Sequence, residues 1–458
     1  MESCVQNKLQ ELGYNVSTEP YGYIEAADAW YRNELIDDFH KRMSVTGVEY
    51  EIDRLNFAKR GCSDDANLCE VVRINVGGEA VTAEIKQLLN ASNFNTMYRQ
   101  QLELMSALGT VCAYVRLDNA KLVGNKISGG EVKLSYCDAL HYAPLKVINN
   151  EVIEAAFFGE DYLGGKKQIT LVTFTLVNKL YKANTYVFNE SGTLIKEFWL
   201  QLGEVKPFAV MRVAEVNNIR NMFGFGIPKV YNAIPILKKL DLCNMVLNGD
   251  LEKGEKYVLT NEALVEIDKD TGKPKRRNAM WKRLIVILGK KPIDGSGYIQ
   301  EYNPSIRIDE ITKCFELCLN FFSMFFGFGS KKYSLENGQI QTATQFILTR
   351  QDGMQDLNKQ RVECERYISD LIHAMMWYSN TFCGTAYKLP DEICVDFDDS
   401  VIIDRASELE TIRADAVSFN DIPEFTIQYI MRRLNVDRKR AMKIYENNVE
   451  EDEPEQLD

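Results

Sequence analysis

The sequence predicts a multidomain α+β chain in which two long apolar helices carry a small basic module between them. Three observations predict it. Over residues 1–105 apolar side chains recur at threes and fours, the period of helices packed on one face. From Thr110 the period drops to two, in short runs separated by Gly-Gly and Asn-Asn turn signals, the pattern of an antiparallel sheet. From Phe223 to Phe326, two helix-like runs flank a compact insert: GFGIPKVYNAIPILKKLDLCNMVLNGD before it and NPSIRIDEITKCFELCLNFFSMFF after it. A helix that is apolar on more than one side needs partners on more than one side.

The totals bound the problem. A chain of 458 residues exceeds one ordinary core and is expected to split into about two to four modules. Its 45% hydrophobic and 26% charged residues are those of a folded globular protein. The longest apolar run, FFSMFFGFG at 321–329, falls short of the roughly 18 residues that span a bilayer, so no membrane partner is expected. The start, MESCVQNKLQELGYN, lacks the basic and apolar segments of a signal peptide, which predicts synthesis and retention in a cytoplasm. Eleven scattered cysteines with no CxxC pair agree with a reducing compartment. Cys314 and Cys318 lie one helical turn apart, as half a metal site would. Two small apolar residues on a packed helix face is the favoured reading. With only His40, His141 and His373, imidazole-rich metal sites are not expected either, and no cofactor is. A net charge of −12 argues against tight phosphate binding by the whole chain. It leaves room for a protein that lets DNA slide past, where strong contacts would hinder movement.

Taken in order, AADAWYRNELIDDFHKRM (26–43) places Trp30, Leu35, Ile36 and Phe39 near one helix face. RLNFAKRGCSDDANLCEV (54–71) sets Leu55, Ala58, Cys62, Ala66 and Cys69 at threes and fours. Residues 82–109 read as one or two further helices ended by Gly109. Strands are expected at 111–118, 131–138, 151–159, 168–177, 182–190 and 194–201 in one antiparallel sheet. The first long helix starts after Pro228, a residue tolerated in a first turn. Pro235 is expected to kink it or to mark a later start. The insert, 253–302, has eight basic residues and no acidic one between Thr271 and Ile293. That patch suits an acidic partner surface or DNA phosphates, or the solvated outer face of an ordinary hairpin. RLIVILG (283–289) reads as its buried strand. The second long helix carries an a/d-like seam of Ile308, Ile311, Phe315, Cys318, Phe322 and Phe325. Leu317, Leu319 and Phe321 are apolar outside that seam. GFGSKKYSLENGQIQTAT (327–344) reads as an exposed loop. A long helix follows over about 342–379, with Leu357, Cys364, Ile368, Leu371 and Met375 on one face. Strand-like EICVDFD and a helical region (401–445) come next. The tail, 446–458, holds seven acids in thirteen residues and is expected to be disordered.

No Walker A, HExxH, GxSxG or GxGxxG motif opens a credible βα unit, and the chain is not expected to be an enzyme. GFGIP (224–228) lacks a following Lys-Ser/Thr and reads as a tight turn before a helix. Five stretches, in order, carry a resemblance: RLNFAKRGCSDDANLCE, SALGTVCAYVRLD, FGFGIPKVYNAIPILKKLD, YNPSIRIDE and FGFGSKKYSLENGQIQTATQF. Across roughly residues 10–445 the chain resembles the portal proteins of tailed double-stranded-DNA bacteriophages, in the branch common in phages of Gram-positive hosts. It departs from that pattern at Ala66, where an aromatic usually follows the acidic pair, and around Gln345 and Phe346.

The resemblance implies an elongated subunit with an α+β wing (1–222, with its remainder and the long helix at 344–400) and a helical stem (223–252 and 303–326). It also implies a small α/β clip (253–302), a tunnel loop (327–343) and a helical crown (401–445). Such subunits form a ring, twelvefold in the assembled family, around a channel at one capsid vertex of the virion, assembled in the host cytoplasm. The implied partners are copies of itself, terminase, a head–tail adaptor, major capsid and scaffolding proteins, and DNA passing without sequence specificity. Under this resemblance Arg276, Arg277, Lys282 and Arg283 meet terminase or adaptor. Lys331 and Lys332 project into the channel. Ile234, Leu237, Ile311, Phe315 and Phe322 pack subunits together. The alternative is a ring- or fibre-forming scaffold without DNA passage.

Overall fold

A computed structural model of the chain describes residues 2–44, 47–75, 79–123, 126–254, 257–260, 285–287, 299–303, 305–329, 332–333, 343–390, 393–397, 412–414, 418, 423–434 and 438–451. The fold is mixed α+β and divides into two compact units, Met1–Asn67 with Val76–Ile393, and Leu68–Asn75 with Cys394–Asp458. No helix among the described residues is long and apolar enough to cross a membrane.

The larger unit begins with helices α1 (Ser3–Glu11), α2 (Glu19–Tyr31) and the short α3 (Asp37–His40). The single helix expected over 26–43 is therefore two, because Asn33 takes a left-handed φ of 58° between them, a conformation Asn tolerates and a continuing helix does not. A small hairpin, β1 (Lys41–Met43) with β2 (Glu49–Glu51), leads to α4 (Phe57–Ala66). Strand β3 (Val71–Asn75) belongs to the other unit. Helices α5 (Glu79–Ala91) and α6 (Phe94–Leu108) follow, and Gly109 ends α6 with a φ of 82°. Its left-handed C-terminal cap is the usual glycine stop.

The period-two region folds as two sheets, not one. Strands β4 (Thr110–Asp118), β5 (Lys121–Val123), β6 (Lys126–Ser128), β7 (Glu131–Asp138), β8 (Tyr142–Ile148), β9 (Glu151–Leu163), β10 (Lys166–Val177), β11 (Leu180–Asn189), β12 (Leu194–Gly203) and β13 (Phe208–Arg212) follow in chain order. The orders are β12-β11-β10-β9-β8 and β13-β4-β7, all antiparallel, with β5 and β6 a separate hairpin. Strands β8 and β13, not anticipated, complete them. Tyr142, Phe157, Phe174 and Phe208 stack where the two sheets share a core, in edge-on and tilted pairs typical of buried aromatics.

The chain then enters the long pair of helices through a close crossing. At Gly226 a Cβ would stand 2.2 Å from the carbonyl oxygen of Gly109, and at Gly109 a Cβ would stand 2.5 Å from the carbonyl oxygen of Gly226. The Gly226 N–H donates to Thr110 Oγ1 at 2.8 Å. Two glycines are what let these backbones touch, and GFGIP is a turn held against the end of α6.

Helix α7 (Lys229–Lys253) starts directly after Pro228. Pro235 sits inside it without delaying the start. Beyond α7, β14 (Tyr257–Thr260), β15 (Ile285–Ile287) and β16 (Ile299–Tyr302) form a small mixed sheet, β14 pairing parallel with β15 and antiparallel with β16. Helix α8 (Ile308–Phe325) returns beside α7, and α9 (Ala343–Tyr378) follows, ending in a π turn over Ser379–Cys383. The predicted face of α9 is buried at Leu357, Cys364, Ile368, Leu371 and Met375.

In the smaller unit β3 pairs antiparallel with β17 (Cys394–Phe397), and α10 (Pro423–Leu434) is followed by α11 (Arg438–Glu451). Arg438 pairs with Glu424 at 2.8 Å. The expected disorder from residue 446 is corrected: α11 continues helical to Glu451. Residues 452–458 lie outside the described residues.

One cluster ties the base of the long helices to the body. The nearly buried Lys229, in the first turn of α7, donates to Asp65 of α4 at 2.9 Å and to the carbonyl of Phe326 at 3.4 Å. Asp65 also accepts from Ser106 Oγ of α6 at 2.7 Å. Replacing Asp65 by Ala leaves the Lys229 ammonium in the interior without its carboxylate. The expected cost is about 3–5 kcal/mol, read as a lowered urea midpoint. The double change Asp65→Leu with Lys229→Met recovers most of it, because an apolar pair needs no compensation.

Candidate functional site: the helix hairpin and its uncovered face

Helices α7 and α8 pair in antiparallel register. Asp250 of α7 accepts two hydrogen bonds from Arg307 beside α8, at 2.8 and 2.9 Å. Two helical turns away along both chains, Cys243 Sγ lies 3.4 Å from Cys314 Sγ. Arg–carboxylate forks of this kind fix geometry as well as adding attraction. On the body side Val230, Ala233, Ile236, Leu237 and Leu240 are buried in the main core with Cys318, Leu319, Phe322 and Phe326. Helix α4 presses closely here: a Cβ on Gly61 would come within 2.8 Å of the rings of both Phe322 and Phe326.

Of the residues predicted to pack subunits together, Leu237, Ile311 and Phe322 are instead buried within this chain, and Ile234 and Phe315 are partly buried against its core. The middle of the a/d-like seam, from Ile311 to Phe322, turns inward, while its ends, Ile308 and Phe325, are exposed. That middle faces α7 and α4, and Phe57 stacks edge-on against both Phe315 and Phe322. What remains uncovered is an adjoining stripe that takes in Phe325 from the end of that seam. Leu317 is 54% exposed, Phe321 40%, Met324 60% and Phe325 46%. Positions i, i+4, i+7 and i+8 share one helix face, so these four form a continuous apolar strip. Leu317 and Phe321 were legible as apolar residues outside the seam. Their exposure was not, because α8 is apolar on more than one face and only the position of α4 decides which of them is covered.

The loop after α8 begins by folding back. Lys332 Nζ stands 3.6 Å from the centroid of the Phe328 ring and 3.6 Å from Asp64 of α4. The neighbouring Tyr333 hydroxyl donates to the same carboxylate at 2.8 Å. Burial pushes the Lys332 ammonium below the usual lysine range, and Asp64 opposes that shift. The expectation of a lysine standing clear of the fold is therefore not met at Lys332, which a carboxylate and an aromatic face hold against α4. Lys331 lies outside the described residues, as do Arg276, Arg277, Lys282 and Arg283 of the insert.

Elsewhere in the larger unit, a cleft of about 800 Å³ is lined by residues 213–223 with Asn149, Asn150, Arg212 and Glu363. Of its two guanidinium groups, that of Arg212 is committed, donating to the side chain and the carbonyl of Asn150, both at 2.9 Å. Burial raises the Glu215 carboxyl above the usual range. Among the described residues, one group of three metal-ligating side chains comes together: Cys243, Cys314 and Cys318. This amends the reading of Cys314 and Cys318 as packed apolar residues, for Cys318 is buried but Cys314 is exposed and faces a third thiol.

The two faces of α8 separate cleanly in a stability experiment. Phe322→Ala is expected to cost about 3–5 kcal/mol, as removal of a fully buried ring does. Phe321→Ser is expected to stay within about 0.5 kcal/mol of the parent chain, as exposed substitutions do. Urea unfolding of the dilute protein measures both.

No protein-family model and no curated protein matches this sequence. Among solved structures, it is similar to a chain in a structure described as the neck of an empty GTA particle computed with C6 symmetry. Sequence identity is 10% and the TM-score 0.44, with 80% of this chain and 86% of the other covered.

Proposed function

We propose that this chain is the repeating subunit of a portal-type ring, whose axial channel passes double-stranded DNA at one vertex of a virus capsid. The observation that carries the proposal is the strip Leu317, Phe321, Met324 and Phe325, left uncovered on a helix whose opposite side closes the core of the chain. A continuous apolar strip beside a rigid hairpin marks a protein contact, and in a protein that assembles with itself the contact is another copy. A head-to-tail contact that closes by rotation makes a ring. The ordered sequence resemblance supports the same reading and adds twelvefold symmetry, docking of terminase and then of head–tail adaptor, and contact with capsid and scaffolding proteins. In this reading the protein carries out no chemistry. Its net charge of −12 suits passage, since each strong phosphate contact adds salt-sensitive affinity that would slow sliding. The basic insert, with Arg276, Arg277, Lys282 and Arg283, is the surface proposed to meet terminase or adaptor.

One observation favours a second reading, a ring or fibre scaffold without DNA passage. Lys332 is held by Asp64 and the Phe328 ring rather than presented to a channel.

Electron microscopy of the purified protein is expected to show closed rings with an axial channel wide enough for a duplex. Phe321→Glu together with Met324→Glu is expected to yield folded monomers, because two charges placed in an apolar contact block its burial. A chain that stays monomeric at every concentration sinks both readings. Rings without a channel select the scaffold.

A further inference from the structure

We infer that Cys243, Cys314 and Cys318 form a thiolate site for one soft d10 metal ion, zinc(II) or copper(I), that staples α7 to α8. The three sulfur atoms lie within 4.8 Å of one another, with Cys243 and Cys314 at 3.4 Å. Metal–sulfur bonds of about 2.3 Å place sulfurs roughly 3.8 Å apart around a tetrahedral ion, inside the range observed. Cys314 and Cys318 are one turn apart on α8, so both project toward the same side, and Cys243 meets them from α7. Rigid elements therefore supply all three ligands, and the Asp250–Arg307 fork two turns away holds their register.

Packing alone does not account for this grouping. Cysteine buried as a small hydrophobe explains Cys318, but Cys314 is exposed and lines an open cleft of about 230 Å³ with Leu242, Val246 and Ile311. The cleft gives an ion a way in and leaves room for water as a fourth ligand. Glu310 and Arg307 line it as well. The absence of imidazole and the presence of three sulfurs select soft, thiophilic ions over magnesium or calcium. Binding exchanges the thiol protons for one ion, and the protons pass to solvent. The site owes nothing to ring assembly, so its test stands apart from that of the proposed function.

The experiment uses the full-length chain, reduced and freed of metal, then incubated with zinc(II) or with copper(I) and dialysed. Elemental analysis is expected to find one ion per chain in at least one arm, and the arm that binds identifies the metal. The unfolding midpoint of that complex is expected to rise with metal concentration, as for any ligand of the folded state. Cys314→Ser removes an exposed ligand without disturbing the core. It is expected to lower affinity by about 100-fold or more, beyond the 10–100-fold typical of losing an outer-shell partner. Cys4→Ser, at a thiol outside the group, is expected to change nothing. No retained ion in either arm overturns the proposal, as does metal retained equally by Cys314→Ser. Recovery of a Cys243–Cys314 disulfide in place of metal binding also overturns it.

Discussion

Two adjacent carboxylates on α4 hold both ends of the long helices. Asp65 takes the ammonium of Lys229, where α7 begins, and Asp64 takes the Tyr333 hydroxyl and Lys332, just beyond where α8 ends. One turn before them, Gly61 lets the Phe322 and Phe326 rings lie directly on the α4 backbone. The interaction is demanding. An ammonium as buried as that of Lys229 is tolerable only with its counter-charge in place, and an aromatic ring at that distance tolerates no added methyl group. The direction in which the hairpin leaves the body follows from this one turn of helix. So does the side of α8 that is covered and the side that is not.

From that constraint comes the division of labour along α8. Its inward residues close the core of the chain, and its outward strip is free for something else to cover. Apolar surface of this kind is stabilised only when water is removed from it, and in the proposed ring that is the part a second copy takes. The same geometry brings Cys243 opposite Cys314 and Cys318. A hairpin whose base is clamped by α4 and whose upper part is clamped by Asp250 and Arg307 is stiff enough to present three thiols at metal-binding separation.

The return of Lys332 onto α4 bears on how the loop beyond α8 works. The ammonium is held by a carboxylate that Tyr333 and Arg60 also use. Any role for Lys332 toward DNA requires that contact to be exchanged.

Much of this chain was legible without coordinates, for a physical reason: periodicity is local. Helix and strand runs, the start of α7 after Pro228, the stop of α6 at Gly109 and the buried face of α9 all follow from side chains a few residues apart. The same holds for the middle of the a/d-like seam of α8 but not for its ends, since Ile308 and Phe325 are exposed. Helix α2 was misjudged because a single left-handed Asn33 breaks an otherwise continuous pattern. The division of the strands into two sheets depended on pairings across the chain that spacing cannot encode. Which apolar face of α8 is covered depends on what approaches it, and Gly61 and Asp64 are more than 250 residues from the α8 side chains and loop they meet. Cys243 joins Cys314 and Cys318 only because α7 and α8 return in register. The sequence by itself determined most of the helices and strands, though not β8 or β13, and that two apolar helices need partners. The tertiary structure decided which partners they already have, because burial is a property of neighbours and not of spacing.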